Sequence, residues 1–183
     1  MNAYDGTPAE GLTTMATAAP QVRAEVTVRR LLADDHDAVR GLHERLDEHD
    51  RYMRFFAVRP AHLAELAESL CRQDPAHYAL GAFVGDTLVG VANYVSLDAD
   101  EDAAPSVVEF ALVVEHAYRM HGIGTALLTR LVQHARACGI EQMRAEVLTE
   151  NASVLALIRD QGWGSALRRD GDEMHLDIDV GES

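Results

Sequence analysis

Two glycines one residue apart, Gly122 and Gly124, sit in the stretch YRMHGIGTALL (Tyr118 to Leu128), just before an apolar run of helical period. Backbone N–H groups gathered at such a helix start form a site for an anion, and glycine lets a phosphate approach closely. A second chemical feature precedes them: Glu109, the one acid inside the apolar segment SVVEFALVV. A carboxylate is expensive to bury in such a strand without a purpose. By the two-residue period of a strand it shares a face with Val107, Ala111 and Val113.

The glycines admit different phosphate chemistries. A P-loop needs a lysine on the outer phosphates, and all 16 basic residues here are arginine. A dinucleotide fingerprint needs a third small residue where Leu127 stands, on the first strand-to-helix turn of the fold, and its acid about twenty residues on has only Glu141 to offer. A pyrophosphate cradle at the helix start, with Arg119 able to add a side-chain charge, is the reading that fits; a glycine turn with no ligand is the bland alternative.

The elements that must position these residues follow from periodicity. RAEVTVRRL (23–31) alternates as a strand, and ADDHDAVRGLHERLDEHD aligns Val39, Leu42 and Leu46 on one helical face. Leu63, Leu66 and Leu70 mark a second helix. HYALGAFV and TLVGVANYVSL form a hairpin around Gly85-Asp86, and an acidic loop (98–105) leads into the strand of Glu109. A helix to about Cys138, the strand EQMRAEVL, a short helix ending at Gly162, and one or two final strands complete the order. The expectation is a mixed α/β (α+β) domain over residues 23–180, after a disordered tail at 1–22 rich in Ala, Thr, Gly and Pro.

Composition narrows the function. A net charge of −14 argues against a nucleic-acid surface, and no apolar run is long enough for a membrane span. The N-terminus lacks a secretory pattern, which points to the cytoplasm. Cys71 and Cys138 lack metal-ligand spacing, so no metal is expected.

Arg119-x-x-Gly122-x-Gly124, after a long strand and before TALLTRLV, resembles the coenzyme A signature of the GCN5-related N-acetyltransferases, the GNAT family. NASVLALIRDQGW, with Asn151, Val154, Leu157, Gly162 and Trp163, is similar to that family's second landmark, and the segment order matches from about Arg23 to Asp179. The resemblance implies the GNAT fold, a mixed and mostly antiparallel sheet flanked by helices, with acetyl-CoA as cosubstrate. It implies that the backbone of Leu112, Val113 and Val114 bonds the pantetheine arm, and that Arg119, Met120, His121, Gly122, Ile123, Gly124 and Thr125 cradle the pyrophosphate. Asn151 would bond the pantetheine or cap its own helix.

The resemblance also places a glutamate base on the strand of Glu109, there to take a proton from an amine whose pKa is near 10.4. Many members carry a tyrosine after the leucine of the second landmark to protonate the departing thiolate; here Leu157 is followed by Ile158. Tyr94, Tyr118 and His116 are the substitutes. DEHDRYMRFFAVRP looks like a stretch of Pat-like bacterial protein acetyltransferases: Tyr52, Arg54, Phe55 and Phe56 match, while acids and His49 replace that family's serines. This favours a protein lysine as acceptor. The alternatives are a small amine (a polyamine, aminoglycoside or amino-acid derivative) or a non-catalytic acyl-CoA-binding regulator. The oligomeric state stays open, a homodimer included.

Overall fold

The computed structural model describes residues 25–55, 62–98 and 105–181. The expected tail, Phe56 and nearly all of the acidic loop lie outside the described residues. Strand β1 (Val26–Arg30) is followed by helices α1 (His36–Arg45), α2 (Glu48–Phe55) and α3 (Leu63–Leu70). Then come β2 (His77–Val84), β3 (Thr87–Ser96), β4 (Val107–Val114), α4 (Ile123–Ala137), β5 (Gln142–Leu148), α5 (Ala152–Asp160), β6 (Leu167–Asp170) and β7 (Glu173–Asp179). The strands form one seven-stranded sheet in the order β1-β2-β3-β4-β5-β7-β6.

Neighbouring strands are antiparallel except at the centre, where β4 and β5 run parallel. A parallel pair needs a crossover, and α4 supplies it. Alternating apolar residues give the sheet two buried faces. On one, α4 and α5 bring Leu127, Leu128, Leu131, Leu155 and Ile158 against Val108, Phe110, Ala145 and Val147. On the other, Val39 and Leu42 of α1 and Ala67 and Leu70 of α3 meet Val91 and Val113.

The sequence reading joins residues 33–50 into one helix; the structure breaks them in two. Leu46 takes an extended ψ of 135° while its N–H still closes the last turn of α1 on Leu42. It is buried, 1% exposed, so the chain turns where the core holds it. Asp47 then starts a new helix: its Oδ1 accepts the N–H of Asp50 at 2.7 Å, the bond of an N-cap carboxylate. Aspartates at an apparent helix end are thus the start signal of α2, which lies near β4. The expected end of α5 is found, with Gly162 in the left-handed region at φ 85°. The final one or two strands are two.

Candidate active site

The central parallel pair is short. β4 pairs with β5 only at Val107, Val108 and Glu109, whereas it pairs with β3 from Val108 through Val114. Beyond Glu109 the two central strands part. Among the described residues, the β5-facing edge of β4 over residues 110–114 is therefore left without a strand partner, a row of main-chain donors and acceptors on which an extended ligand can add like a strand.

That opening continues into a groove. A cavity of about 330 Å³ is lined by Leu112, Val113 and Val114 of β4, by Arg119, Met120, Gly122, Ile123, Gly124 and Thr125, by Asn151, Val154 and Leu157, and by Asp50, Met53 and Arg54 of α2. Gly122 caps α4 in the left-handed conformation, φ 75°, and no side chain caps that helix. Its first-turn N–H groups thus remain for a ligand, at the positive end of a helix dipole. At Gly124 an added Cβ would stand 3.4 Å from Leu157 and 3.7 Å from Leu112, an ordinary contact. A bare edge strand leading to an uncapped helix start fits a pantetheine arm followed by a pyrophosphate.

A smaller cavity of about 70 Å³ adjoins it, where Met53, Arg54, Glu109, Ala111, Leu112, Glu146, Asn151 and Val154 meet. Glu109 stands at the last paired position of β4 before the strands part, and it is exposed. The two-residue period sets Glu109 and Val113 on one face, toward α1, α2 and α3; Phe110 and Val108 point to α4.

The sequence-predicted residues converge with a few differences. Asn151 caps α5, its Oδ1 accepting the Val154 N–H at 3.3 Å, and it borders both cavities. His121 turns to its own backbone, Nδ1 lying 2.6 Å from the Arg119 carbonyl, and is not among the lining residues. The Arg119 guanidinium does not stand free for a phosphate. Its Nε donates to the Val114 carbonyl at 3.2 Å, and its terminal nitrogen pairs with the buried Asp50 carboxylate at 2.5 Å. What the helix start offers an anion is therefore main-chain groups, with Arg119 pinning it to α2. Tyr52 of the RYMRFF stretch is 38% exposed.

Of the substitutes for the missing tyrosine, Tyr94 is buried and its hydroxyl lies 3.1 Å from His134 Nδ1, outside both cavities. Burial pushes its pKa far up, so it holds its proton. Tyr118 lines the groove, and His116 is exposed outside it. Ile158 is fully buried.

Sequence reasoning missed what α2 contributes. Arg54 donates to Asn93 Oδ1 at 3.2 Å, and its Nε is buried without a partner among the described residues. Burial lowers its pKa to about 10, with the Glu109 charge opposing. Beneath it, buried His43 donates from Nδ1 to the Val39 carbonyl at 2.8 Å and packs its ring 5.6 Å from that of Phe55. Burial, with Arg54 adding to it, lowers the His43 pKa to about 4, so the ring is neutral. The signal available was the pair of acids, Asp47 and Asp50, just before the RYMRFF stretch.

Comparison with known proteins agrees with this geometry. Residues 41–163 match the model of the acetyltransferase (GNAT) family. Among solved structures, the GNAT domain of S. lividans PAT superposes with a TM-score of 0.72 at 26% identity, covering 83% of this chain and 89% of that one. YncA from Salmonella typhimurium, a putative acetyltransferase solved with acetyl-CoA, gives a TM-score of 0.69 at 19% identity over 87% of this chain and 96% of its own. The ribosomal-protein-S18-alanine N-acetyltransferase of Escherichia coli gives 0.64 at 18% identity over 87% and 96%. The chain belongs to the GNAT acetyltransferase family.

Proposed function

We propose that this GNAT-family chain transfers the acetyl group of acetyl-CoA to the side-chain amine of a protein lysine, with Glu109 as the general base. Acetyl-CoA would lie along residues 112–114 of β4 with its pyrophosphate on the α4 start, and the thioester would come near the junction of the two cavities. A main-chain N–H near Val113 would polarise the thioester carbonyl. Glu109, directly or through a water, would take the ammonium proton so that the free amine can attack.

The observation that carries the acceptor class is the size and position of the recess at Glu109. At about 70 Å³ it admits the end of an alkylamine, well below the 300 Å³ or so at which pockets begin to enclose whole small molecules. An exposed Glu109 at the mouth of such a recess suits a side chain presented by a large partner. The likeness to the PAT domain points the same way.

The test is thiol release from acetyl-CoA against acceptor panels run in parallel: acyl-CoA synthetases and other lysine-bearing proteins, and polyamines, aminoglycosides and amino acids. Turnover with proteins, lost in Glu109→Gln, supports the reading. Turnover confined to the small amines overturns it.

A further inference from the structure

One cation on the groove wall has no task in the reading above. Arg54 borders both cavities, the cofactor groove and the recess of Glu109. Register fixes where its guanidinium lies. Asn93 of β3 faces Ala111 of β4, and the neighbouring pair on that face is Val95 with Glu109. Bonded to Asn93, Arg54 therefore sits over the β4 face between Glu109 and Val113, where the groove and the recess meet.

This guanidinium is incompletely satisfied. Its Nε is buried and lacks a hydrogen-bond partner among the described residues. The Phe55 ring, with its centroid 5.1 Å from Cζ, covers one side. Among the described residues lining the groove the other arginine is Arg119, and Asp50 neutralises it. A half-hidden cation with an unused donor lowers its energy by meeting an anion. The helix that in many relatives brings a proton donor to the thiolate offers Ile158 here, fully buried.

We propose that Arg54 is a catalytic residue that stabilises the negative charge on the departing coenzyme A sulfur. The inference rests on the acetyl-CoA and Glu109 reading. Glu109 takes the ammonium proton and passes it to solvent; the free amine nitrogen then bonds to the carbonyl carbon, the carbonyl π pair moves to oxygen, and a second proton passes from the nitrogen to the regenerated Glu109 carboxylate. The oxygen pair then re-forms the carbonyl, the C–S bond breaks, and both its electrons leave on sulfur. Arg54 stays protonated throughout and pairs with the thiolate, which takes a proton from solvent on release. No general acid is required.

The test needs no acceptor. Free coenzyme A is bound to the protein in a Cys138→Ser background, and its thiolate absorbance is followed against pH as a difference from the ligand-free protein. The remaining thiol, Cys71, is pushed up by burial to about 11 and stays silent. The bound thiol is expected to titrate about one unit or more below free coenzyme A. That depression should vanish in Arg54→Met and persist in part in Arg54→Lys. Calorimetric affinity for desulfo-coenzyme A, which lacks the sulfur, should stay within about twofold across the variants and so report intact folding. With an acceptor in hand, kcat should fall about 100-fold in Arg54→Met at unchanged KM for acetyl-CoA. Equal thiol titration in wild type and Arg54→Met, both binding desulfo-coenzyme A, overturns the role of Arg54. Failure of the wild type to bind either coenzyme overturns the cofactor reading beneath it.

Discussion

The two walls of the groove are made of different material. On the α4 side the ligand-facing groups belong to the main chain: the open edge of β4 past Glu109 and the uncapped helix start at Gly122. On the α2 side they are side chains: Arg54 bonded to Asn93, and Asp50 holding Arg119. In the proposed reading, main-chain groups bind what every cosubstrate molecule shares, a pantetheine and a pyrophosphate. In the same reading, side chains set what the chemistry acts on and how charge is managed. The first wall tolerates changes of side chain and depends on conformation; the second is the reverse.

Glu109→Gln breaks that contrast hardest. It removes the proposed base from the acceptor wall, and thiol-release assays should show kcat reduced about 100- to 10,000-fold.

The next effect concerns what holds α2 in place. His43 lies under Phe55, and its pKa is lowered by burial to about 4 from an unfolded value of 6.5. Above pH 6.5 neither state binds the proton. As pH falls toward 4 the unfolded chain takes it and the folded one does not. Stability therefore drops across that window, by at most about 3 kcal/mol. Denaturant midpoints at pH 7 and pH 5 read it, and His43→Leu should flatten this part of the pH dependence.

Asp50→Asn sharpens the contrast from another side, because the ion pair with Arg119 ties one wall to the other. Removing the buried charge should cost about 1–2 kcal/mol, less than a fully buried pair, since Arg119 keeps some contact with water. Melting temperatures with and without acetyl-CoA would show it, and the ligand should recover part of the loss.

The smallest effect separates the two glycines. At φ 75° Gly122→Ala is strained and should cost about 1 kcal/mol with weaker acetyl-CoA binding. Gly124→Ala meets only ordinary contacts and should be nearly neutral in both stability and binding.

The same contrast explains what the sequence disclosed. The main-chain wall was legible because its conformational demands appear as residue types at fixed spacing: glycines at 122 and 124, an arginine at 119, and an apolar helix after them. The succession of strands along the chain followed from alternation, and the hairpin at Gly85-Asp86 from its turn chemistry. The side-chain wall was not legible to the same degree. Asp47 and Asp50 read as the polar end of α1 because helical period alone does not show that Leu46 leaves the helix. That Arg54 reaches Asn93, and Arg119 reaches Asp50, depends on α2 lying near β4, a tertiary fact with no local signature. Arg119 illustrates the limit: the sequence offers its charge to a phosphate site, and the fold turns its side chain to a carboxylate.

The most direct test of the two-wall account is the equilibrium affinity of Glu109→Gln for acetyl-CoA, measured by calorimetry beside the wild type. The account predicts a dissociation constant within about twofold of the wild type, because the main-chain wall does not involve that carboxylate. A loss of affinity of about tenfold or more would place Glu109 in the cofactor site and contradict the separation of the walls.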